Sequence, residues 1–301
     1  MDQEQQDAFQ QWLRDSQRQN ASTVAVYQRD VRHFLQWSEA TVGQPFTWPP
    51  GPNGTRAMGQ ELRDYRAYLK GVRQVKPATV NRKLAGLARW VAWGQESGRL
   101  LGPPMAKLPW EKLPVRAPKA LEPAELNRLL RETRRRASAR DIALVQLLAQ
   151  TGLRVGELAA LALGDVKIGE RSGQVTVRRG KGDRYREVPM NTDARQALKE
   201  YLAERPETGK TALWVSQRGG ALTPNAIWRV VTRYAQFARV AVSPHGLRHT
   251  FCTRLLREQG ADLVAVATLA GHSVATTARY TRPSAVTLAQ LTEGLSQSHA
   301  P

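Results

Sequence analysis

The chain has 301 residues, enough for two domains that each bury a core. Hydrophobic residues at 41% and charged ones at 24% are the proportions of a globular protein, and no apolar run is long enough to span a bilayer. Against 26 Asp and Glu stand 45 Lys and Arg, a formal charge of +19 that argues for a polyanionic partner, because surplus like charge otherwise works against the compact state. Arginine dominates this surplus and suits bidentate phosphate contacts. The polar start MDQEQQDAFQ is neither a signal nor a transit peptide, and the single Cys252 excludes an internal disulfide and fits a reducing cytoplasm.

Taken in chain order, the first hundred residues read as helices. FQQWLRDSQ is a short amphipathic piece. In ASTVAVYQRDVRHFLQWSEA, Val24, Tyr27, Val31, Phe34 and Leu35 share one buried face. TWPPGPNGT reads as a Pro/Gly-rich loop, followed by helices over ELRDYRAYLKG and KPATVNRKLAGLARWVAWGQE. The second carries Leu84, Leu87, Trp90 and Val91 on one side, with Arg82 and Lys83 available to DNA phosphates or simply solvated. The proline-rich stretch LGPPMAKLPWEKLPVRAPKALEP lacks helical periodicity and reads as a linker, which sets domains at 1–102 and 123–301 around a linker at 103–122. Helices return over PAELNRLLRETRRR and ARDIALVQLLAQ. VKIG, QVTVRR and REVPM then form three short strands, with the turn GKGDRY between the last two. TDARQALKEYLAE, PNAIWRVVTRYAQFA, the segment after Pro244 and ADLVAVATLAG are helical again. The fold class is mainly α with a small antiparallel sheet.

SPHGLRHTFCTRLLREQ concentrates chemistry. Ser243 is an N-cap and Pro244 suits the first helical position. Leu247, Phe251, Cys252, Leu255 and Leu256 form an apolar stripe with Arg248 in its middle. His245 lies near the margin of that stripe, and His249 lies further toward the polar side and reads as structural. An inward guanidinium near a helix start is costly unless an anion binds there or a buried carboxylate such as Glu157 pairs with it. A metal held by His245 and His249 is disfavoured, because Gly246, Leu247 and Arg248 stand where a thermolysin-like site carries glutamate, and Arg248 repels a dication. In QTGLRVGELAAL, Gly152 ends one helix and Arg154 begins another, either as a second phosphate ligand or as half of a surface pair with Glu157. In VRRGKGDRYREVP, Lys181 sits at a hairpin tip, solvated or reaching a phosphate site to protonate a leaving oxygen. In AGHSVATTARYT, Gly271 ends a helix, His272 lies in the junction and Ser273 caps the next turn. Tyr280 is a packing residue unless arginines nearby favour its phenolate as a nucleophile.

The ordered set TGLRVGEL, GKGDRYREVP, SPHGLRHTF and LAGHSVATTARYT resembles the tyrosine recombinase (phage-integrase) superfamily, and especially its Xer-like members, over about residues 150–282. The resemblance implies an N-terminal helical, SAM-like core-binding domain and a C-terminal α/β catalytic domain that close as a clamp around duplex DNA. It implies that Arg154 and Arg248 grip the scissile phosphate and that Lys181 is the general acid. His245 and His272 would assist proton transfer, Tyr280 would form a 3′-phosphotyrosine, and Glu157 would support the site. No metal or other cofactor is implied. The one departure is AGH where many members have LGH.

The implied activity is site-specific recombination for integration, excision or resolution, by a homo- or hetero-tetramer on two DNA sites, with a partner recombinase or accessory protein possible, in the bacterial cytoplasm at the nucleoid. A type IB topoisomerase-like relaxing enzyme and a non-catalytic DNA-binding accessory protein are the alternatives. The chain starts almost directly with the core-binding helices, which favours a simple Xer-like or resolvase role. Asn225, Arg229 and Arg233 of PNAIWRVVTRYAQFA are candidate groove readers or phosphate contacts, and TLAQLTEGL is expected to form a short helix docking on a neighbouring protomer.

Overall fold

The computed structural model describes residues 3–17, 19, 21–49, 51–105, 108–113, 120–178 and 185–278. The chain divides into two compact units, Met1–Val115 and Arg116–Pro301.

The regular elements among the described residues of unit 1 are helices: α1 (Gln3–Asp15), α2 (Ala21–Val42), α3 (Gly51–Gly71) and α4 (Pro77–Glu96). The apolar stripes read from sequence become its core. Val24, Val31 and Phe34 of α2 meet Leu84, Leu87, Trp90 and Val91 of α4, all buried, while Tyr27 and Leu35 pack at the edge. One expectation fails here. The segment read as a Pro/Gly loop supplies the first turn of α3, which starts at Gly51. Proline in a first turn forfeits no intrahelical bond, so Pro52 is tolerated there. Gly54 is needed because a Cβ at that position would lie 2.2 Å from the Pro49 carbonyl oxygen. Burial of Met58, Leu62, Tyr65 and Leu69, spaced by four, three and four, then outweighs the poor local propensity.

The proline-rich stretch is packed at both described ends. Leu108 belongs to the core of unit 1. Asn81 donates from Nδ2 to the Glu111 carbonyl (2.9 Å) and accepts the Glu111 backbone N–H (2.8 Å), while the Glu111 carboxylate meets Arg66 (2.5 Å) and Lys70 (3.1 Å). At the far end Leu121 enters the core of unit 2, and its backbone N–H donates to Thr250 Oγ1 (2.9 Å).

Unit 2 runs α5 (Pro123–Arg136), α6 (Ala139–Thr151), α7 (Val155–Ala159), a 3-10 turn (Leu163–Asp165), β1 (Val166–Ile168), β2 (Gly173–Val177), β3 (Arg186–Pro189), α8 (Thr192–Glu204), α9 (Pro224–Phe237), α10 (Pro244–Arg257), α11 (Leu263–Ala270) and α12 (Val274–Thr277). The strands pair antiparallel in the order β1-β2-β3, with Val175 opposite both Val166 and Val188, and the β2–β3 ladder ends at Val177↔Arg186. Central to the core is α6, whose Leu144, Val145, Leu147 and Leu148 are buried, with α8 and α10 packed on it.

Candidate active site

Two left-handed glycines shape the site. Gly152 (φ 62°) ends α6 and Gly271 (φ 62°) ends α11, the conformation in which glycine carries no Cβ penalty. A Cβ on Gly152 would lie 2.2 Å from the Phe251 ring, so α10 approaches the end of α6 only because that position is glycine. Each glycine turns its carbonyl toward an arginine from elsewhere in the chain.

Arg248, on the second turn of α10, is 1% exposed. Its NH1 donates to the Gly152 carbonyl (2.7 Å), its NH2 donates to the Ala270 carbonyl, and NH1 lies 3.9 Å from Glu157 Oε2. The inward direction expected from the helical stripe is therefore met mainly by carbonyls at two helix C-termini, where the dipole favours a cation. Burial, reinforced by Arg154, brings its pKa down to about 10, which leaves it cationic at neutral pH. Arg154 caps α7. Its backbone N–H donates to Glu157 Oε2 (2.8 Å), NH1 donates to Glu157 Oε1 (2.6 Å) and NH2 to the Gly271 carbonyl (2.7 Å).

Glu157 is 7% exposed and sits between these arginines and a third, Arg186, whose NH1 and NH2 donate to its two oxygens at 3.1 and 2.7 Å. Burial opposes the charged form of Glu157, but hydrogen bonds from Arg186 and Arg154 outweigh it and hold the carboxyl below its ordinary range. The pair Arg154–Glu157 is thus no isolated surface bridge. Arg186 was not singled out from the sequence. The usable signal was strand alternation: Arg186 and Val188 are both buried while Glu187 and Pro189 are exposed, and an inward arginine on a half-buried strand demands a carboxylate.

The histidines depart from the helical reading. Ser243 Oγ caps α10 by accepting from the Gly246 N–H (3.3 Å), as expected. His245, however, is exposed and His249 is the more buried of the two. Their rings meet edge to face with centroids 4.1 Å apart, so four-residue spacing joins them rather than separating them. His245 lies in the first turn, where no preceding turn covers it, and helical side chains lean toward the N-terminus. His245 is nonetheless partly desolvated, and this, then the charges of Arg248 and Arg154, lowers its pKa. For His249, burial and the neighbouring His245 bring it to about 4. His272 follows Gly271, and burial followed by Arg248 and Arg154 drives it to about 3. It lines a cavity of about 340 Å³ with Tyr185, Arg186, Val264, Ala267 and Gly271.

Arg154, Glu157, His245, Arg248 and His272 are thus brought together. Lys181, Tyr280 and TLAQLTEGL lie outside the described residues. Asn225, Arg229 and Arg233 are exposed on α9, beside a half-exposed Trp228. In unit 1, Arg82 and Lys83 are anchored rather than simply solvated. Asp30, fully buried, ion-pairs with Arg82 NH1 and lies 3.7 Å from Lys83 Nζ. Burial first, and then Arg82, Arg29 and Arg73 against the opposing Asp30, lowers the Lys83 pKa.

Comparison with known proteins identifies the family. Residues 119–286 match the family described as the phage integrase family. A tyrosine recombinase XerD of Ralstonia nicotianae is 33% identical over 280 residues, covering 90% of this chain and 86% of the relative. A tyrosine recombinase XerC of a Roseiflexus species is 30% identical over 296 residues, 94% of this chain and 90% of the relative. The fold matches the crystal structure of XerH site-specific recombinase bound to difH substrate in a pre-cleavage complex, with a TM-score of 0.70 at 21% identity over 98% of this chain and 85% of that one. Motif order, fold and relatives converge: the chain belongs to the phage integrase family and is a site-specific tyrosine recombinase related to the Xer enzymes.

Proposed function

We propose that this recombinase binds duplex DNA and cuts one strand by direct transesterification, with the residue roles carried over motif by motif. Tyr280 attacks the scissile phosphorus, a 3′-phosphotyrosyl ester forms, and the bond from phosphorus to the 5′ oxygen breaks. Lys181 gives its proton to the departing 5′ oxygen, which leaves as a hydroxyl, and His272, with His245, takes part in moving the tyrosine proton. Attack by a 5′-hydroxyl from the second DNA site reverses the step and conserves the phosphodiester. Both units contribute DNA contacts, and the protein acts as a tetramer on two sites, at the nucleoid. Among the described residues no helix is long and apolar enough to cross a membrane.

The observation that carries this reading is the convergence of Arg154 and Arg248 on Glu157 and on helix-end carbonyls, drawn from three separate stretches of chain at 152–157, 248 and 270–271. Each guanidinium has five N–H donors, and those bonds engage two of each. The donors left over on Arg154, whose side chain is 29% exposed, suit the nonbridging oxygens of a phosphate, whose charge would be stabilised most as the phosphorane forms, while Arg248, 1% exposed, adds its charge to the same site. Two cations held close together over a single buried carboxylate have net positive charge to offer an anion. His272 and His245, neutral in the free protein, would rise in pKa beside a bound phosphate and become able to hold a proton.

A nicked suicide duplex that loses its 5′-hydroxyl fragment after cleavage tests the reaction. The wild-type chain is expected to become covalently linked to the DNA through a 3′-phosphotyrosine, and Tyr280→Phe is expected to give no adduct. An adduct that persists in Tyr280→Phe refutes the nucleophile assignment. The captured sequence also maps the target, and a plasmid with two copies of it should yield recombinant circles rather than only relaxed ones.

A further inference from the structure

Arg186 has no role in the reaction as drawn above, yet it is the most fully engaged guanidinium of the cluster. Its Nε donates to the Leu269 carbonyl (3.0 Å), and NH1 and NH2 donate to the two oxygens of Glu157. It is 7% exposed and is the first residue of β3, paired with Val177 at the end of β2. Room for it depends on Gly271, where a Cβ would lie 2.7 Å from Arg186 NH1. One side chain therefore ties β3, α7 and the end of α11. Apart from the Gly152 carbonyl that accepts from Arg248 NH1, what orients the phosphate arginines hangs on the same two anchors. Glu157 holds Arg154, the Gly271 carbonyl holds Arg154 again, and the Ala270 carbonyl holds Arg248.

We infer that Arg186 is a positioning residue for strand cleavage: by fixing Glu157 against the last carbonyls of α11, it sets the spacing of Arg154 and Arg248 without touching DNA itself. The rival is a buried ion pair that only stabilises the fold. The inference rests on the recombinase reading, so the wild-type chain is the first arm of the test. If wild-type protein forms no covalent adduct, the recombinase reading falls and this one falls with it.

Given wild-type capture, single-turnover rates are compared on two nicked duplexes of the mapped site, one with an ordinary phosphodiester and one with a methylphosphonate at the scissile position. The neutral methylphosphonate lacks the charge that the arginines stabilise. On the phosphodiester, Arg186→Gln is expected to slow capture roughly a hundredfold, as a displaced catalytic geometry does, with the Kd for DNA within about threefold of wild type. On the methylphosphonate the same variant should lose less than about tenfold, because there is less charge for a misplaced pair to miss. Arg186→Lys, which keeps the charge but not the fork, should fall between. Capture by Arg186→Gln at the wild-type rate, or an equal loss on both substrates, overturns the inference. Should Arg186→Gln fail to fold, the two-substrate comparison in Arg186→Lys decides by the same criterion.

Discussion

Both units hold cations on a buried acid, and they do so differently. In unit 1, fully buried Asp30 has Arg82 and Lys83 as its ion-pair partners, and the Arg82 side chain remains 38% exposed. In unit 2, Glu157 shares the job with backbone. Arg154, Arg186 and Arg248 each make a bond to a carbonyl at the end of α6 or α11 as well as facing the carboxylate. A cation held at one point can swing to meet a phosphate wherever the DNA backbone passes. A guanidinium held at two or three points offers its remaining donors in one direction only. The first arrangement suits binding and tolerates error, whereas the second suits stabilising charge at one atom.

The contrast is broken most severely at Arg248. Arg248→Gln is expected to reduce covalent capture at saturating DNA by about a thousandfold, the cost of losing one pre-set donor group at a developing charge. Arg82→Gln should leave that saturated rate within about twofold and instead weaken binding, lowering the slope of log K against log salt by about 0.9. Comparable rate losses in both variants would erase the distinction.

Glu157→Gln and Asp30→Asn sharpen it, since each removes one negative charge and so adds the same electrostatic pull on DNA. If charge alone mattered, both would bind and cut at least as well as wild type. Asp30→Asn is expected to bind DNA as tightly or more tightly at low salt, with an unchanged capture rate. Glu157→Gln should slow capture by about a hundredfold despite the added charge, because Arg154 and Arg186 lose their common anchor. It should also lower stability by about 3 kcal/mol, the usual result of removing one partner from a buried ionic cluster. A Glu157→Gln enzyme that cuts at the wild-type rate would remove the case for geometric control.

The smallest effect is in pH. His249 and His272 have folded pKa values of about 4 and about 3, below the ordinary histidine value of 6.5. The unfolded chain therefore binds more protons than the folded one below 6.5, and unit 2 should lose stability as pH falls from 6.5 toward 4. His272→Asn is expected to flatten that part of the Tm–pH profile by a few degrees, whereas a substitution at exposed His245 should change it less. Tm measured from pH 7 to pH 4 checks both.

Much of this was legible in the sequence wherever the signal is local. The Ser243 cap, Pro244 at the first helical position, the stripe that turns Arg248 inward and the glycines that end α6 and α11 are each set within a turn or two of chain. The four motifs carried the family for the same reason. Where local signals conflicted with packing, the reading failed: Pro and Gly at the start of α3 look like a loop until Met58 and Leu62 are seen to be buried.

The sequence by itself determined the helical stripes, the caps and the inward direction of Arg248, since these follow from backbone periodicity and from chemistry carried by single side chains. Only the tertiary structure decided what each charge is tied to. Arg248 takes a carbonyl 96 residues away, Arg154 one 117 residues away, and Glu157 and Arg186 meet across 29 residues. Such partners depend on which surfaces of α6, α7, α10, α11 and β3 come into contact. That is settled by burial of the core those elements share, and no periodicity in the chain records it.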